Sequence, residues 1–424
     1  MKFYRLIFLI PLVCFTALSS DEFSLAELFD IALKNNPETE KVWSNVKRAQ
    51  ASVGMAKSNY YPHLNAHGSV THAREVKFPT ADETTYTSYG GELNLNYLLY
   101  DFGETSAAVR ATKEGLKSAQ WWADFAIQKV ISEVAAHYYE FLNAKELLDT
   151  KESSLKDAHT ILGAADEMRC AGLRSEHDFI TAKAAVSEIK MNLAQQKAAT
   201  AIAYGKLLTT LGLPIDTKLE VQTRAEAMKH PSLSQEMPAL IAAAEGQRAD
   251  LMAQQALLAD MNARVTRAKR AQLPKLRALG QAGWLQYDKH KGDSYNFSAG
   301  ASLDIPLFKG FEYTYQKRHA LADADATAAE LKELHNAIAL EVLTYSESAK
   351  AAKETMECSE DYFADAMRAY DSSIEGYKAG LINIFDLLQA QRYLSDARNR
   401  KAQARTQWLV SLSQLAFATG SINK

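Results

Sequence analysis

The placement of proline limits what this chain can fold into more than any other feature of its sequence. Nine prolines occur in 424 residues, none of them between Pro79 and Pro214 and none after Pro306. Both proline-free stretches are rich in Ala, Leu, Lys, Glu and Gln, which favour helix. No strong breaker appears over about 104–168 or about 312–376, so each predicts a continuous helix of roughly 95 Å. Helices of this length do not fit an ordinary globule and indicate coiled-coil or bundle packing.

The apolar residues of both stretches have the period of a helix, because they recur at steps of three and four. They are Val130, Val134, Tyr138 and Phe141 in the first stretch, and Leu331, Leu334, Ile338, Val342 and Tyr345 in the second.

Each long helix is predicted to end at a short corner that the sequence contains twice. The segments "CAGLRSEHDF" and "KAGLINIFDL" align after a shift of 208 residues. Glycine accepts the left-handed backbone at low cost, so Gly172 and Gly380 are the points where a helix can reverse. A second long helix then follows in each half, over about 175–211 and 383–419.

The duplication extends over the rest of the chain. Upstream of each long helix lies a segment that reads as helix up to a proline, 32–62 and 243–274, followed by two segments of strict apolar–polar alternation. The strand pairs end in similar short segments, "LLYDFGE" and "PLFKGFE". We therefore predict two structural repeats, 21–230 and 231–424. The first holds a β-hairpin at 62–100 and a helical hairpin at 104–212, and the second holds them at 274–307 and 312–420.

The N-terminus has the order of a secretory signal peptide. Lys2 and Arg5 precede an apolar run, Leu6–Leu18, and small residues follow. We predict a signal at 1–20, because the run is too short for a membrane anchor. Cys14 leaves open a lipoprotein reading, but Pro11-Leu12-Val13 before it lacks the small residue that lipidation requires.

Composition excludes several classes of function. The chain is 47% hydrophobic and 23% charged with a net charge of −3, so nothing indicates nucleic acid. Two cysteines remain after the signal, too few for a disulfide scaffold. His63 and His67 are too few for a metal site, and His137 with Glu140 lacks the paired histidines of a zinc protease. No phosphate loop stands out, and we expect no cofactor, no metal and no enzymatic reaction.

The alternating strands have two readings. Apolar-out and polar-in strands of about ten residues are the unit of a membrane β-barrel, while a small soluble sheet with one solvated face gives the same pattern. In lipid every edge amide needs a partner, and about eight strands are the practical minimum for closure. On the membrane reading, a chain with four strands must share one barrel with copies of itself.

Together these features resemble the TolC-type outer-membrane efflux channels. The resemblance rests on the signal peptide, the duplicated halves, "PLFKGF" and "YKAGLINIFDLLQAQRYLSDAR", and covers essentially the whole mature chain. It implies a mostly α, internally duplicated fold and a homotrimer in the outer membrane. Twelve strands would form one barrel in outer-membrane lipid, continuous with a barrel of twelve long helices across the periplasm. Such channels passively conduct cargo delivered by a periplasmic adaptor and an inner-membrane pump, in efflux or type I secretion.

The resemblance also implies roles for the two corners. The tips, Ala171-Gly172-Leu173 and Ala379-Gly380-Leu381, would be the adaptor's landing site. Asp178 and Asp386 match acids that point into the pore constriction, where clustered carboxylates concentrate cations. Tyr377 matches a tyrosine that in some relatives ties the closed state by a hydrogen bond.

Each of these residues also has an ordinary reading. An acid in the first turn of a helix is favourable beside the positive helix end, and Tyr377 could be a packed aromatic. Two positions depart from some relatives: Ile382 and Gln389 stand where those relatives have an arginine and a second acid. Arg174 is a candidate substitute for that arginine. The alternatives for the whole chain are a secreted or surface coiled-coil stalk or adhesin and an exported enzyme.

Overall fold

A computed structural model describes residues 22–77, 79, 82–222, 236–288 and 294–422 of the chain. The predicted signal peptide and the predicted boundary at 230/231 lie outside these residues. The described elements occur twice in the same order: two helices, two strands, a long helix and a shorter one. In the first repeat they are α1 (Leu25–Asn35), α2 (Pro37–Ser58), β1 (His63–Lys77), β2 (Asp82–Tyr100), α3 (Glu104–Cys170) and α4 (Glu176–Thr210). In the second they are α5 (Met237–Gln247), α6 (Ala249–Arg270), β3 (Lys275–Tyr287), β4 (Ser294–Asp304), α7 (Glu312–Lys378) and α8 (Ile384–Ala418).

The helices α3 and α7 dominate the molecule. Each has 67 residues and is about 100 Å long. Neither contains a proline, and their many alanines permit close approach of neighbouring helices. Among the residues that the structure describes, no helix carries an apolar stretch of the length and hydropathy that a membrane crossing requires.

The helices pack side by side in a layer. Near the sheet the neighbours are, in order, α2, α3, α6 and α7; farther away they are α4, α3, α8 and α7. The C-terminal end of α4 meets the start of α2, where the Asn36 amide donates to the Thr210 carbonyl at 2.8 Å. The helical layer therefore extends from the sheet to the far tips, and α7 forms one edge of it over this whole length.

The four strands form one antiparallel sheet in the order β1-β2-β3-β4. Its register places most of the apolar residues on one face, with Leu64, Leu95, Gly280 and Ala299 in one row. The next row, on the opposite face, is Asn65, Asn94, Gln281 and Ser298. Within the described residues, β1 and β4 each pair on one side only, so the sheet has two open edges.

Candidate functional site

The two predicted corners have the same backbone geometry. Gly172 has φ +71° and Gly380 has φ +79°, and each helix closes with the same pair of capping hydrogen bonds. In the first corner, the amides of Gly172 and Leu173 donate to the carbonyls of Arg169 and Met168, both at 2.9 Å. A side chain at either glycine would meet no atom within 4 Å, so glycine is required by the backbone alone.

The leucine after each glycine points away from the protein. Leu173 is 67% exposed and Leu381 is 81% exposed, at the far end of the helical layer from the sheet. Ala171, Ala379 and both glycines are exposed as well. The predicted tips are therefore small, accessible corners, each with one exposed apolar side chain.

Both predicted acids lie in the first turn of a helix that starts at a polar cap. Asn383 accepts from the Asp386 amide at 2.9 Å, and the Ser175 hydroxyl donates to the Asp178 carboxylate at 3.1 Å. Both carboxylates therefore lie beside the positive end of a helix, which is the ordinary role of such acids. Their surroundings differ, because Asp178 is half-buried and Asp386 is exposed.

Two hydrogen bonds join the first helical hairpin to the second near the tips. The hydroxyl of Tyr377, a fully buried residue, donates to Asp178 Oδ2 at 3.4 Å. Arg174 Nη2 donates to the carbonyl of Ile382 at 2.5 Å, and the guanidinium lies 5.0 Å from the Tyr377 ring centroid. We call Arg174, Asp178, Tyr377 and Ile382 the tip cluster.

Burial keeps the Tyr377 hydroxyl of the tip cluster protonated, so that it can donate a hydrogen bond. Burial and the neighbouring Asp178 carboxylate raise the pKa of Tyr377, and the Arg174 guanidinium opposes them. The phenol therefore keeps its proton at neutral pH and remains a hydrogen-bond donor. Around it packs an apolar cluster drawn from both hairpins, which includes Ile161, Ala165, Ala182, Ile384 and Leu387.

The structure brings Asp178 and Tyr377 together but leaves Asp386 outside the tip cluster. It also shows a contact that the sequence did not predict. Arg174 donates to the backbone carbonyl of Ile382, a residue whose side chain can neither donate nor accept a hydrogen bond. The signal available in the sequence was only the basic residue itself, because a backbone acceptor is independent of side-chain identity.

A second polar link joins the hairpins farther from the tips, between α3 and α8. Arg398 Nη1 donates to Asp157 Oδ2 at 2.5 Å, with both side chains about four-fifths buried, and the Ser154 and Ser395 hydroxyls lie 3.0 Å apart. Burial, with the nearby Asp157 charge, raises the pKa of Tyr370 to about 12. The sequence contains no signal that Asp157 contacts Arg398 or that Ser154 contacts Ser395.

The described residues hold no group of three or more His, Cys, Asp and Glu side chains that could ligate a metal ion. Cys170 and Cys358 are free and exposed.

Comparison with known proteins identifies a family that covers nearly all of the chain. The family model described as "Outer membrane efflux protein" matches residues 28–213 and 240–421. The two matched segments correspond to the two repeats of the fold.

Individual relatives are distant but extend over most of the chain. Protein CyaE of Bordetella pertussis is 28% identical over 400 residues, which cover 93% of this chain and 84% of the relative. Outer membrane protein TolC of Vibrio cholerae is 24% identical over 407 residues, 95% of this chain and 91% of the relative. The pyoverdine export outer membrane protein OpmQ of Pseudomonas aeruginosa is 23% identical over 395 residues, 90% and 81% of the two chains.

Solved structures share the fold. The outer-membrane channel OprN superposes with a TM-score of 0.81 at 19% identity, over 94% of this chain and 90% of its own. The open state of the MtrE channel of Neisseria gonorrhoeae gives 0.77 at 20% identity, over 96% and 94%. The expected resemblance, the mostly α fold with a partial membrane barrel and the outer-membrane localisation are confirmed.

Proposed function

Because the chain belongs to the outer membrane efflux protein family, we propose that its two hairpin tips form the periplasmic entrance of the channel. The chain is an outer-membrane channel of an efflux or secretion system, and the match favours this over a secreted stalk. The observation that carries the entrance proposal is the tip cluster. It links the first and second hairpins where they are farthest from the barrel.

The tip cluster acts as a restraint on opening. An iris-like opening must separate α3–α4 from α7–α8 near their ends, which removes the bonds from Arg174 to Ile382 and from Tyr377 to Asp178. The shared apolar cluster with Ala165 and Ala182 provides small side chains across which the hairpins can slide. In this proposal Asp178 holds the closed state, while the exposed Asp386 presents its charge to the entrance.

The tips Ala171-Gly172-Leu173 and Ala379-Gly380-Leu381 receive the periplasmic adaptor. The support is their exposure together with their chemistry, since each capped corner presents one exposed leucine as an apolar anchor.

Assembly follows from the open edges of the sheet and the helical layer. Efflux channels of this family work with tripartite pump partners, and the channel is a trimer. We infer that β4 of one protomer pairs with β1 of the next and that α7 packs against the neighbour's α2 and α4. The inner-membrane pump supplies the energy, and the channel itself catalyses no reaction.

Docking at the tips is tested with Leu173→Glu and Leu381→Glu in cells that depend on this channel for export. A buried carboxylate at an apolar contact is costly, so both changes are expected to reduce export at least tenfold while trimers remain in the outer membrane. Ile215→Glu is the matched control, because Ile215 is equally exposed but lies in the loop after α4. Export at the wild-type level in both tip variants would contradict the docking proposal.

A further inference from the structure

A polar cavity of about 240 Å³ lies where the sheet meets the start of α3. Polar side chains make up most of its wall, among them Asp101, Glu104, Arg267, Lys275 and Arg277. These five come from different parts of the chain: the loop before α3, α3 itself, the end of α6 and the start of β3. We call this cavity the junction recess.

The two basic strand residues of the junction recess lie on the polar face of the sheet. The register pairs Lys275 with Asp304 and Arg277 with Ser302, and alternation puts both on the same face as Gln281. In an outer-membrane channel the apolar face of the strands contacts lipid, and the polar face lines the water-filled lumen. The junction recess is therefore part of the inner wall of the channel, where the strands give way to the helices.

The two acids of the junction recess are already bound by groups of the protein. Asp101 accepts from the amides of Gly103 at 2.9 Å and Thr105 at 2.6 Å, one with each carboxylate oxygen. Glu104 pairs with Lys275 at 2.6 Å, and both side chains of this pair are largely buried. These contacts leave the arginines of the recess without a close carboxylate partner from either acid.

Both arginines retain unused hydrogen-bond donors. Arg267 is exposed, and within the described residues its guanidinium makes neither an ion pair nor a hydrogen bond. Arg277 has two long contacts: its Nε lies 3.5 Å from Asp304 Oδ2, and its Nη1 donates to Asn96 Oδ1 at 3.4 Å. A guanidinium carries five N–H donors, so most of those on the two arginines are available. The positive end of α3 adds to this excess of positive charge.

We propose that the junction recess binds an oxyanion, the carboxylate or phosphate group of an acidic cargo molecule, between Arg267 and Arg277. The planar fork of a guanidinium matches two oxygens of such a group. The cavity is smaller than the pockets of about 300–1,000 Å³ that enclose a drug-sized ligand, so it takes one acidic group rather than a whole cargo molecule. The trimer carries three such sites in its wall, which raise the concentration of acidic cargo there. This role in transport rests on the channel function but not on docking at the tips.

A second cavity on the same side of α3 supplies a matched control. Thr105 lines the junction recess and Thr112 lines the second cavity, and seven residues are about two helical turns, so both threonines lie on one side of the helix. The second cavity contains Arg48, an exposed arginine whose guanidinium also has no ion pair or hydrogen bond to any described residue. Arg48→Gln therefore removes the same charge from the same side of the helical layer and leaves the junction recess intact.

Binding is measured by isothermal titration calorimetry of purified trimers at constant ionic strength, with citrate in one arm and inorganic phosphate in the other. The wild-type trimer is expected to bind at least one of them, and the arm that binds identifies the group. Arg267→Gln and Arg277→Gln are each expected to weaken that binding at least about fivefold, because each removes a charged hydrogen-bond donor. Arg48→Gln is expected to change the affinity less than about twofold, because it lies outside the recess and salt screens its charge.

The site is overturned if wild-type trimers bind neither anion, if either arginine variant keeps the wild-type affinity, or if Arg48→Gln weakens binding as much as they do. Arg277→Lys keeps the charge at the strand and is expected to bind more tightly than Arg277→Gln; equal affinities would also contradict the site. Ion conductance of the same trimers in planar bilayers separates this site from the channel function. Trimers that conduct but bind neither anion would overturn the junction recess alone, whereas trimers that do not conduct would contradict the channel function itself.

Discussion

Arg174 should contribute more to the closed entrance than Tyr377 does, although the sequence suggested Tyr377 for the hydrogen bond and Arg174 only as a substitute for an arginine of some relatives. The Arg174 guanidinium donates to the Ile382 carbonyl, so this bond has a charged donor. A hydrogen bond with a charged partner contributes about 2 kcal/mol, and the guanidinium over the Tyr377 ring adds about 0.5 kcal/mol. The Tyr377 hydroxyl reaches Asp178 only at 3.4 Å, so we assign that bond about 0.7 kcal/mol.

The trimer multiplies this difference. If the three protomers open together, Arg174→Met removes about 7.5 kcal/mol from the closed state, which raises the open-to-closed ratio about 10⁵-fold. Tyr377→Phe removes about 2 kcal/mol and raises the ratio about 30-fold by the same relation. Methionine keeps the apolar stem of Arg174, and phenylalanine keeps the ring of Tyr377, so both substitutions isolate the polar link.

Single-channel recordings of purified trimers in planar bilayers measure the open fraction. A second readout is the sensitivity of cells to a large antibiotic that the intact outer membrane excludes. Arg368→Met is the matched control, since Arg368 pairs with Asp365 on the exposed surface of α7. An open fraction in Tyr377→Phe equal to or above that of Arg174→Met would refute the energetic ranking. Closed channels in both variants would refute the restraint itself.

Three further results are expected. Asp386→Ala should weaken block of conductance by a trivalent cation several-fold more than Asp178→Ala does, because only Asp386 is exposed; equal losses would contradict this. In denaturant titrations, Gly172→Ala should lower stability by about 1 kcal/mol, while Gly163→Ala, within a helix and in open space, should raise it by up to about 1 kcal/mol. The folded protein holds the pKa of Tyr370 at about 12, which favours the neutral phenol. Tyr370 should therefore contribute stability that is present below about pH 10 and is lost as the pH rises through 12. Tyr370→Phe should remove that part of the alkaline loss of stability, measured by unfolding at a series of pH values.

The helices and corners could be predicted from the sequence because their signals are local. A segment without proline and with a 3.6-residue apolar period predicts a long helix, and α3 and α7 extend to Cys170 and Lys378, two residues beyond the expected ends. The reversals at Gly172 and Gly380 follow from the need for positive φ. The sheet register follows from alternation, since a shift by one residue would exchange its two faces.

The partners in the contacts between the hairpins could not be predicted, because they depend on the relative position of segments far apart in sequence. Arg174 and Ile382 are 208 residues apart, and Asp157 and Arg398 are 241 residues apart. The first of these bonds ends on a carbonyl group, which every residue carries. The difference in burial between Asp178 and Asp386 likewise depends on packing. It could not be predicted from the sequence, because the two residues occupy matching positions in the two repeats.

The two repeats contribute different parts to the tip cluster, and this difference is what makes a link possible. The shift of 208 residues relates Arg174 to Ile382 and Tyr377 to Arg169. The first hairpin supplies a donor on Arg174 and an acceptor on Asp178, and the second supplies a donor on Tyr377 and an acceptor on Ile382. Arg169 instead bonds to Asp166 and Glu176 within its own hairpin. An exact duplicate with arginine at position 382 would place two like charges side by side, so the corner could be copied but the link required the copies to diverge.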